Sequence, residues 1–241
     1  MSGTYTTETD DVSALLARGV IEVVGRLAHS SNATLLVRLE SDEGHGHGHA
    51  VYKPLRGERP LWDFPPGLYK REVAAQLLSE VLGLDLVPPT IVREGPYGEG
   101  SLQLFIDADP HEHYFSIHES RPDLHDRLRD FAFFDFIANN TDRKSGHILL
   151  DNEDRLWGID HGVCFSEDFK LRTVIWDFGG EEIPTRLLDV AANLIKSVPL
   201  ALAALLDDDE VTALQQRVTY LLEHPTFPVD LSGRRHPWPL I

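Results

Sequence analysis

Cysteine, positive charge and long apolar runs are all scarce in this sequence. The single cysteine, Cys164, excludes an internal disulfide and is typical of a protein in a reducing cytoplasm. The 22 basic residues are outnumbered by 39 acidic ones, which gives a net charge of −17. Such a surface repels both nucleic acid, whose binding needs clustered Lys and Arg, and an anionic bilayer.

Membrane-spanning and secretion signals are missing as well. The longest apolar run, residues 198–206, is too short to cross a bilayer. Residues 1–11 are polar and acidic, unlike a signal peptide. The sequence therefore predicts a cytoplasmic protein with no stable membrane insertion and no nucleic-acid partner.

The length of 241 residues and the hydrophobic content of 42% support one large domain or two small lobes that share a cleft. The first half pairs short strands with one strong helix. Residues 1–10 are expected to be a disordered tail, and Asp11 to cap a short helix that Gly19 ends. A longer helix is predicted at residues 68–82 and strands at residues 20–24, 33–39, 50–54, 88–93 and 101–106.

The turn at residues 25–32 has two interpretations. Ser30, Ser31 and Asn32 could cover phosphate groups, because the backbone N–H groups of such a turn bind oxyanions. The alternative is an ordinary hairpin turn, since no glycine-rich phosphate-binding pattern is present.

A histidine-rich loop at residues 41–49 also has two interpretations. His45, His47 and His49 could bind a metal ion, or the loop could be a flexible hairpin tip, which the absence of a further ligand favours.

Lys53 ends the short apolar strand at residues 50–54, and a buried ammonium group needs a partner. Glu72 precedes the apolar face of the following helix. An ion pair between them would hold the ammonium group where it can reach phosphates. The alternative is a surface lysine whose aliphatic stem covers apolar surface.

The second half is mainly helical. A helix with four phenylalanines at residues 123–139 is central to it, and a hairpin follows at residues 148–159. Further helices are predicted at residues 184–196, 199–206 and 209–223. Four prolines forbid a continuous helix in residues 225–241, which are expected to form a coil tail.

Two acids follow apolar segments in this half. Asp142 lies in the loop at residues 139–147, and Asp160 comes 18 residues later, after the hairpin. The kinase catalytic loop has an Asp, four residues and an Asn, with Asp-Phe-Gly further on. In this sequence four residues separate Asp142 from His147, which stands at the position of the Asn. Asp160-His161-Gly162 stands at the position of Asp-Phe-Gly.

Two other features are interpreted as structural. Asp177-Phe178-Gly179 follows no paired strand and no acid-bearing loop at the right spacing, so it is expected to be loop structure. Cys164 lies in an apolar segment without an activating base and is expected to pack in the core.

Taken in chain order, Lys53, Glu72, Asp142 and Asp160 and the residues around them resemble the motifs of the phosphatidylinositol 3/4-kinase-like family. The sequence is most similar to the type II phosphatidylinositol 4-kinases and their bacterial relatives, and more distantly to the HipA-type kinases. The resemblance covers residues ~20–200 and rests on Val51-Tyr52-Lys53-Pro54, Arg71-Glu72-Val73-Ala74-Ala75, Val87-Pro88-Pro89-Thr90, Asn140-Thr141-Asp142-Arg143 and Ile159-Asp160-His161-Gly162.

The resemblance implies an α+β, two-lobed protein-kinase-like fold. A small, strand-rich N-lobe would comprise residues 20–109 and bind nucleotide, and a mainly helical, catalytic C-lobe would comprise residues 110–224. Residues 1–19 would form a tail and short helix, and residues 225–241 the coil tail.

The resemblance also implies a nucleotide site between the lobes. The adenine of ATP would lie against the strand that ends at Phe105 and Ile106, and Lys53, held by Glu72, would bind the α- and β-phosphates. The residues that cover the phosphates would be Ser30, Ser31 and Asn32.

For the transfer step, the resemblance implies that Asp142 orients the acceptor hydroxyl and accepts its proton. Lys144 would neutralise charge on the γ-phosphoryl group, and Asp160 and His147 would hold Mg²⁺ or Mn²⁺. The expected activity is ATP- and metal-dependent phosphoryl transfer to a hydroxyl of a protein or small-molecule acceptor.

His147 and His161 depart from the family pattern, because Asn is usual at the first position and common in type II enzymes at the second. An imidazole ligand predicts a preference for Mn²⁺ and weaker metal binding as pH falls through about 6.5. Alternatively, His147 only packs in the loop.

This departure supports one alternative function, a pseudokinase that binds nucleotide as a regulatory module without transfer. A third interpretation, a phosphatidylinositol kinase, conflicts with the acidic net charge.

Overall fold

The computed structural model describes residues 11–27, 32–41 and 46–241. The expected tail at residues 1–10, together with Ser30, Ser31 and His45, lies outside the described residues. Within them the chain forms two lobes, one built on a five-stranded antiparallel sheet and the other mainly helical. The α+β, two-lobed architecture expected from the sequence is confirmed.

The strands of the first lobe are β1 (Val20–Arg26), β2 (Leu35–Glu40), β3 (His47–Pro54), β4 (Thr90–Gly95) and β5 (Gly98–Leu104). They form one sheet in the order β1-β2-β3-β5-β4. A short helix, α1 (Val12–Arg18), precedes the sheet, and the Asp11 side chain caps that helix by accepting the Ala14 N–H at 2.8 Å. Leu15 and Leu16 of α1 are buried in the small core of this lobe.

Helix α2 (Leu68–Val81) lies between β3 and β4 in the chain and contacts β4 and β5. Strand β5 pairs with β3, and its Gly100 lies opposite Pro54. A Cβ at this glycine would clash with the Lys53 carbonyl group. The absence of a side chain there lets β5 approach the end of β3, which fixes the strand that carries Lys53.

The second lobe is built around α4 (His125–Ala138), whose central place was expected, and all four of its phenylalanines are buried. The other elements are α3 (Tyr114–Ser120), β6 (Ile148–Leu150), β7 (Leu156–Gly158), α5 (Thr185–Lys196), α6 (Leu200–Ala203) and α7 (Asp208–Glu223). Strands β6 and β7 form the expected antiparallel hairpin. Residues 225–241 contain no helix or strand, and Phe227 anchors them in the core.

Several expected boundaries were wrong. Strand β3 begins at His47, so His47 and His49 belong to a strand and not to a hairpin tip. Strand β5 ends at Leu104, two residues before the expected end. Helix α3 was not expected, because its seven residues mix histidine, serine and glutamate with few apolar positions.

A buried ion pair connects the two lobes. Arg71 on α2 bonds Glu210 on α7, and both side chains are at least nine-tenths buried. Burial raises the pKa of Glu210 despite the nearby guanidinium group. Since Arg71 and Glu72 belong to the same helix, this bridge also ties the helix that carries Glu72 to the second lobe.

We predict that Arg71→Met lowers the free energy of unfolding by about 3–5 kcal/mol, because it leaves the Glu210 carboxylate buried without a cation. Adding Glu210→Gln, which retains an acceptor for the Asp207 N–H at the start of α7, should recover much of the loss. Urea denaturation measures both. Arg155→Met is the control, because more than half of the Arg155 side chain is exposed and the expected loss is below about 1 kcal/mol. Equal losses in Arg71→Met and Arg155→Met would contradict the prediction.

Candidate active site

The end of α4 determines where the loop at residues 139–147 begins. Asn139 has a φ of 51°, a left-handed conformation that ends the helix and that Asn tolerates well. Its buried side-chain amide donates to the carbonyl groups of Ser166 and Asp168 at 2.9 and 2.7 Å and accepts the Lys170 N–H at 2.9 Å. Asn139 therefore joins this loop to the segment that follows residue 165.

Asn140 holds the next part of the loop. Its side-chain N–H donates to Asp135 at 3.1 Å, and its side-chain oxygen accepts the Asp142 N–H at 3.0 Å. The backbone of Asp142 is thus fixed by a neighbour, which leaves its carboxylate free to point elsewhere.

A fully buried ion pair between Arg143 and Asp135 lies beneath the loop. Two guanidinium N–H groups bond the carboxylate, at 3.0 and 2.9 Å. Another donates to the Ile159 carbonyl at 3.0 Å, and Nη2 lies 2.7 Å from His161 Nε2. Burial opposes the charge of Arg143, but Asp135 outweighs it and raises the pKa of Arg143.

This pair connects the Asp142 loop to the Asp160 segment, and sequence reasoning missed it. The available signal was Asp135 itself, a carboxylate within the phenylalanine-rich face of α4. A charge in such a place requires a buried partner.

Lys53 on β3 and Glu72 on α2 are brought together with Asp160, which follows β7 of the second lobe, at the junction of the lobes that is called the cleft below. The Lys53 ammonium group bonds Glu72 and lies 2.9 Å from Asp160 Oδ1. Burial opposes its charge, but Asp160 and Glu72 outweigh that effect and raise the pKa of Lys53 above its usual value. The other oxygen of Glu72 accepts the His161 N–H at 2.9 Å. The ion pair between Lys53 and Glu72 expected from the sequence is present.

Asp160 has a strained backbone and a charged side chain. Its φ is 61°, which is uncommon for a residue other than glycine. Lys53 holds the pKa of Asp160 well below its usual value, so the carboxylate is ionised. About half of the side chain is exposed to the cleft, which leaves room for a ligand.

Asp142 and Lys144 lie together at the other side of the site. Lys144 Nζ is 3.0 Å from Asp142 Oδ2, and one third of the Asp142 side chain is exposed. Burial raises the pKa of Asp142 in spite of this lysine, and the charge of Asp160 adds to the effect. A carboxylate with a raised pKa is a better proton acceptor.

His147 approaches Asp160, with Nε2 3.4 Å from Oδ2. Its Nδ1 accepts the Lys144 N–H at 3.3 Å, so the proton of the neutral ring is on Nε2, facing Asp160. Burial lowers the pKa of His147 to about 4. The expectation of a titration near pH 6.5 was therefore wrong.

Asp160 and His147 offer few donors for a metal ion. Within the described chain, no group of three or more His, Cys, Asp or Glu side chains is placed to hold one. Mg²⁺ in nucleotide sites is commonly held by one or two protein ligands together with phosphate oxygens. The ionised, half-exposed Asp160 fits that arrangement. His147 fits it only if its proton moves from Nε2 to Nδ1, which breaks the bond to Lys144.

The remaining residues assigned to nucleotide binding have separate positions. The Asn32 side chain accepts the Arg59 N–H at 2.9 Å and so bonds the segment after β3. Phe105 and Ile106 follow β5 between the lobes, and the Phe105 N–H donates to the His49 carbonyl at 3.0 Å. Their contacts with nucleotide stay predictions, as do those of Ser30 and Ser31.

Two structural interpretations are supported. Cys164 is buried, and burial raises the pKa of its thiol, so it is not activated. Asp177 lies outside helix and strand, where it accepts the Tyr114 hydroxyl at 2.5 Å.

Comparisons with known proteins point to one family. The sequence profile of phosphatidylinositol 3- and 4-kinase matches residues 68–217. Protein Rv2133c of Mycobacterium tuberculosis is 41% identical over 275 aligned residues, which cover 99% of this chain and 98% of that protein.

Two further matches are more distant. Phosphatidylinositol 4-kinase gamma 4 of Oryza sativa subsp. japonica is 35% identical over 169 residues, or 53% of this chain and 28% of that much longer protein. Among solved structures, that of hydra Fam20 with sugar has a TM-score of 0.55 at 15% identity and covers 87% of this chain and 86% of its own. This last likeness concerns the fold alone.

The buried histidines predict acid sensitivity of the fold. Burial lowers the pKa of both His147 and His161, so both bind protons more readily when unfolded. The stability that the two neutral rings contribute is complete above about pH 6.5 and is lost as pH falls below that value. For His147 the loss reaches up to about 3 kcal/mol as pH falls towards about 4.

We therefore predict that melting temperatures fall less between about pH 7 and about pH 4.5 in His147→Asn and His161→Asn than in the unmodified protein. His224→Asn, at an exposed position, should follow the unmodified protein. Parallel curves for all four proteins would show that the two buried histidines do not carry the effect.

Proposed function

This chain belongs to the phosphatidylinositol 3- and 4-kinase family, and we propose that it transfers the γ-phosphoryl group of ATP to a hydroxyl of a protein or small molecule. The observation that carries the proposal is the placement of Lys53 between Glu72 and Asp160 in the cleft. An ammonium group held by two carboxylates in this way supports phosphate binding.

In this proposal, Lys53 binds the α- and β-phosphates. Glu72 is almost fully buried and is fixed by the His161 N–H as well as by the lysine. Lys53 therefore cannot turn away from the cleft without leaving a buried carboxylate unpaired, which is costly. The protein maintains the position of the cation before nucleotide arrives.

Asp160 and His147 would hold the divalent ion, which supplies charge neutralisation for the phosphates when bound. The strained backbone of Asp160 directs its carboxylate into the cleft. This orientation is maintained from below, because Arg143 bonds the carbonyl group of Ile159, the preceding residue.

Asp142 would accept the proton of the acceptor hydroxyl. The hydroxyl oxygen bonds to the γ-phosphorus as the bond from that phosphorus to the ADP oxygen breaks. The raised pKa and fixed backbone of Asp142 suit this role. Lys144, beside it, would stabilise negative charge on the group being transferred.

A pseudokinase is the second candidate, and the geometry of His147 favours it. Both ring nitrogens are engaged, one by the Lys144 N–H and the other towards Asp160. If this arrangement persists when nucleotide binds, the site has only one metal ligand. Release of ADP and transfer of labelled phosphate distinguish the two candidates.

We propose that the protein acts in the cytoplasm and that its phosphoryl acceptor is a protein or a small molecule. A phosphatidylinositol acceptor is disfavoured, because a net charge of −17 repels anionic bilayers. Among the described residues, no helix is long and apolar enough to cross a membrane.

We predict that variants of Lys53, Asp160 and Asp142 separate nucleotide binding from phosphoryl transfer. ATP with Mg²⁺ or Mn²⁺ should raise the melting temperature through binding to the folded state, and both Lys53→Ala and Asp160→Asn should reduce this rise. Asp142→Asn should retain the rise but lower phosphoryl transfer by about 100-fold or more. Calorimetry and labelled ATP measure the two effects. Equal loss of nucleotide binding in Asp142→Asn and Asp160→Asn would contradict the separate roles.

A further prediction concerns the metal. His147→Asn should lower the preference for Mn²⁺ over Mg²⁺, because an amide oxygen is a harder ligand than an imidazole nitrogen. His147→Ala should weaken the binding of both ions in the presence of ATP. Titration calorimetry measures these affinities. If His147→Ala binds both ions as the unmodified protein does, His147 is not a ligand.

A further inference from the structure

A cavity of about 440 Å³ lies in the helical lobe, and none of the described residues proposed for catalysis or nucleotide binding lines it. Its walls come from α4, α7, the segment at residues 167–176 and the segment at residues 228–235. Four of the lining residues are aromatic: Phe136, Phe169, Trp176 and Tyr220. Phe136 has its ring centroid 5.3 Å from that of Phe169 and 5.8 Å from that of Tyr220, so the rings form a continuous apolar wall.

Arg217 on α7 is also part of the wall, and only 6% of its surface is exposed. Its Nε donates to the Ile137 carbonyl at 2.7 Å and its Nη1 to the Ser166 carbonyl at 3.3 Å. Nη2 has no hydrogen-bond partner in the described part of the chain, and no carboxylate there forms an ion pair with this guanidinium group.

The hydrogen-bond partners of Arg217 differ in kind from those of the other two buried arginines. Arg71 and Arg143 each have a buried carboxylate partner. Arg217 bonds only two carbonyl groups, and burial lowers its pKa to about 10 although the charge of Glu210 opposes the shift, which leaves it charged at neutral pH. A buried cation that lacks a directly bonded anion is costly unless something supplies one.

A second cation lies at the same cavity. The Arg235 guanidinium group is 5.0 Å from the centre of the Phe169 ring, and among the described residues Glu167 is the one acidic side chain that lines the cavity. In the whole chain, acidic residues outnumber basic ones by 39 to 22. The cavity reverses this balance, with two arginines and one glutamate.

We propose that this cavity binds a small organic anion, with a carboxylate, sulfonate or phosphate group at Arg217 and Arg235 and a flat apolar body against the aromatic wall. Guanidinium groups pair well with such anions, and aromatic rings accept a flat apolar body. The volume is in the range of cavities that hold small molecules. The site is separate from the proposed nucleotide site and does not depend on catalytic activity.

The test uses a matched pair of fluorescent probes. Anilinonaphthalene sulfonate has an apolar ring system with one anionic group, and N-phenylnaphthylamine has similar rings without the charge. The unmodified protein should bind the sulfonate saturably at one site and the uncharged probe at least about tenfold more weakly, since the charged hydrogen bonds are lost. Equal affinity for both probes would overturn the proposal.

Two variants locate the site. Arg217→Gln should weaken sulfonate binding by about tenfold or more, and Arg235→Gln by about threefold or more. Arg235 is partly exposed, so the second variant tests the proposal even if the first does not fold.

Arg155→Gln is the matched control, because Arg155 lies over the Trp157 ring at 5.2 Å beside a different cavity. It should leave binding unchanged. Loss of binding in Arg155→Gln but not in Arg235→Gln would assign the probe to that other cavity and contradict the proposal. Displacement of the sulfonate by ADP with Mg²⁺ would assign it to the nucleotide cleft, with the same consequence.

Discussion

The buried ion pair between Arg143 and Asp135 is the interaction on which the candidate site depends. A desolvated guanidinium group is costly unless its donors find partners, and here they reach a carboxylate, two backbone carbonyls and an imidazole. These acceptors belong to α4, to the residues before Asp160 and to His161. One side chain thus fixes the spatial relation between the loop with the proposed base and the segment with the proposed metal ligand.

The protonation states of the groups in the cleft are also fixed by their neighbours and by burial. Lys53 is kept protonated by two carboxylates, and Asp160 is kept ionised by Lys53. His147 and His161 are kept neutral by burial, so they add no positive charge. The result is a cleft in which each group has a defined protonation state near neutral pH, as phosphate binding by a fixed cation requires.

Much of this arrangement was predictable from local sequence. The pattern of apolar residues located the main helices, and the order of Lys53, Glu72 and Asp160 indicated that they meet. What could not be predicted depends on pairing across distant segments. The partner of Asp135, the neutrality of His147 and the lone charge of Arg217 each depend on burial, which periodicity in one segment does not measure. Helix α3 was missed because it has only seven residues, too few for its two buried ones, Tyr114 and Ile117, to give a repeating pattern.

The ion pairs between the lobes also have a kinetic consequence. Lys53 and Asp160 are 107 positions apart in the chain, and Arg71 and Glu210 are 139 apart. Contacts between such distant residues require large loops to close, so they form late when each lobe folds on its own local contacts first. Interactions formed after the transition state slow unfolding and leave the folding rate nearly unchanged. The two ion pairs would then prolong the lifetime of the folded state by slowing unfolding, without raising the folding rate.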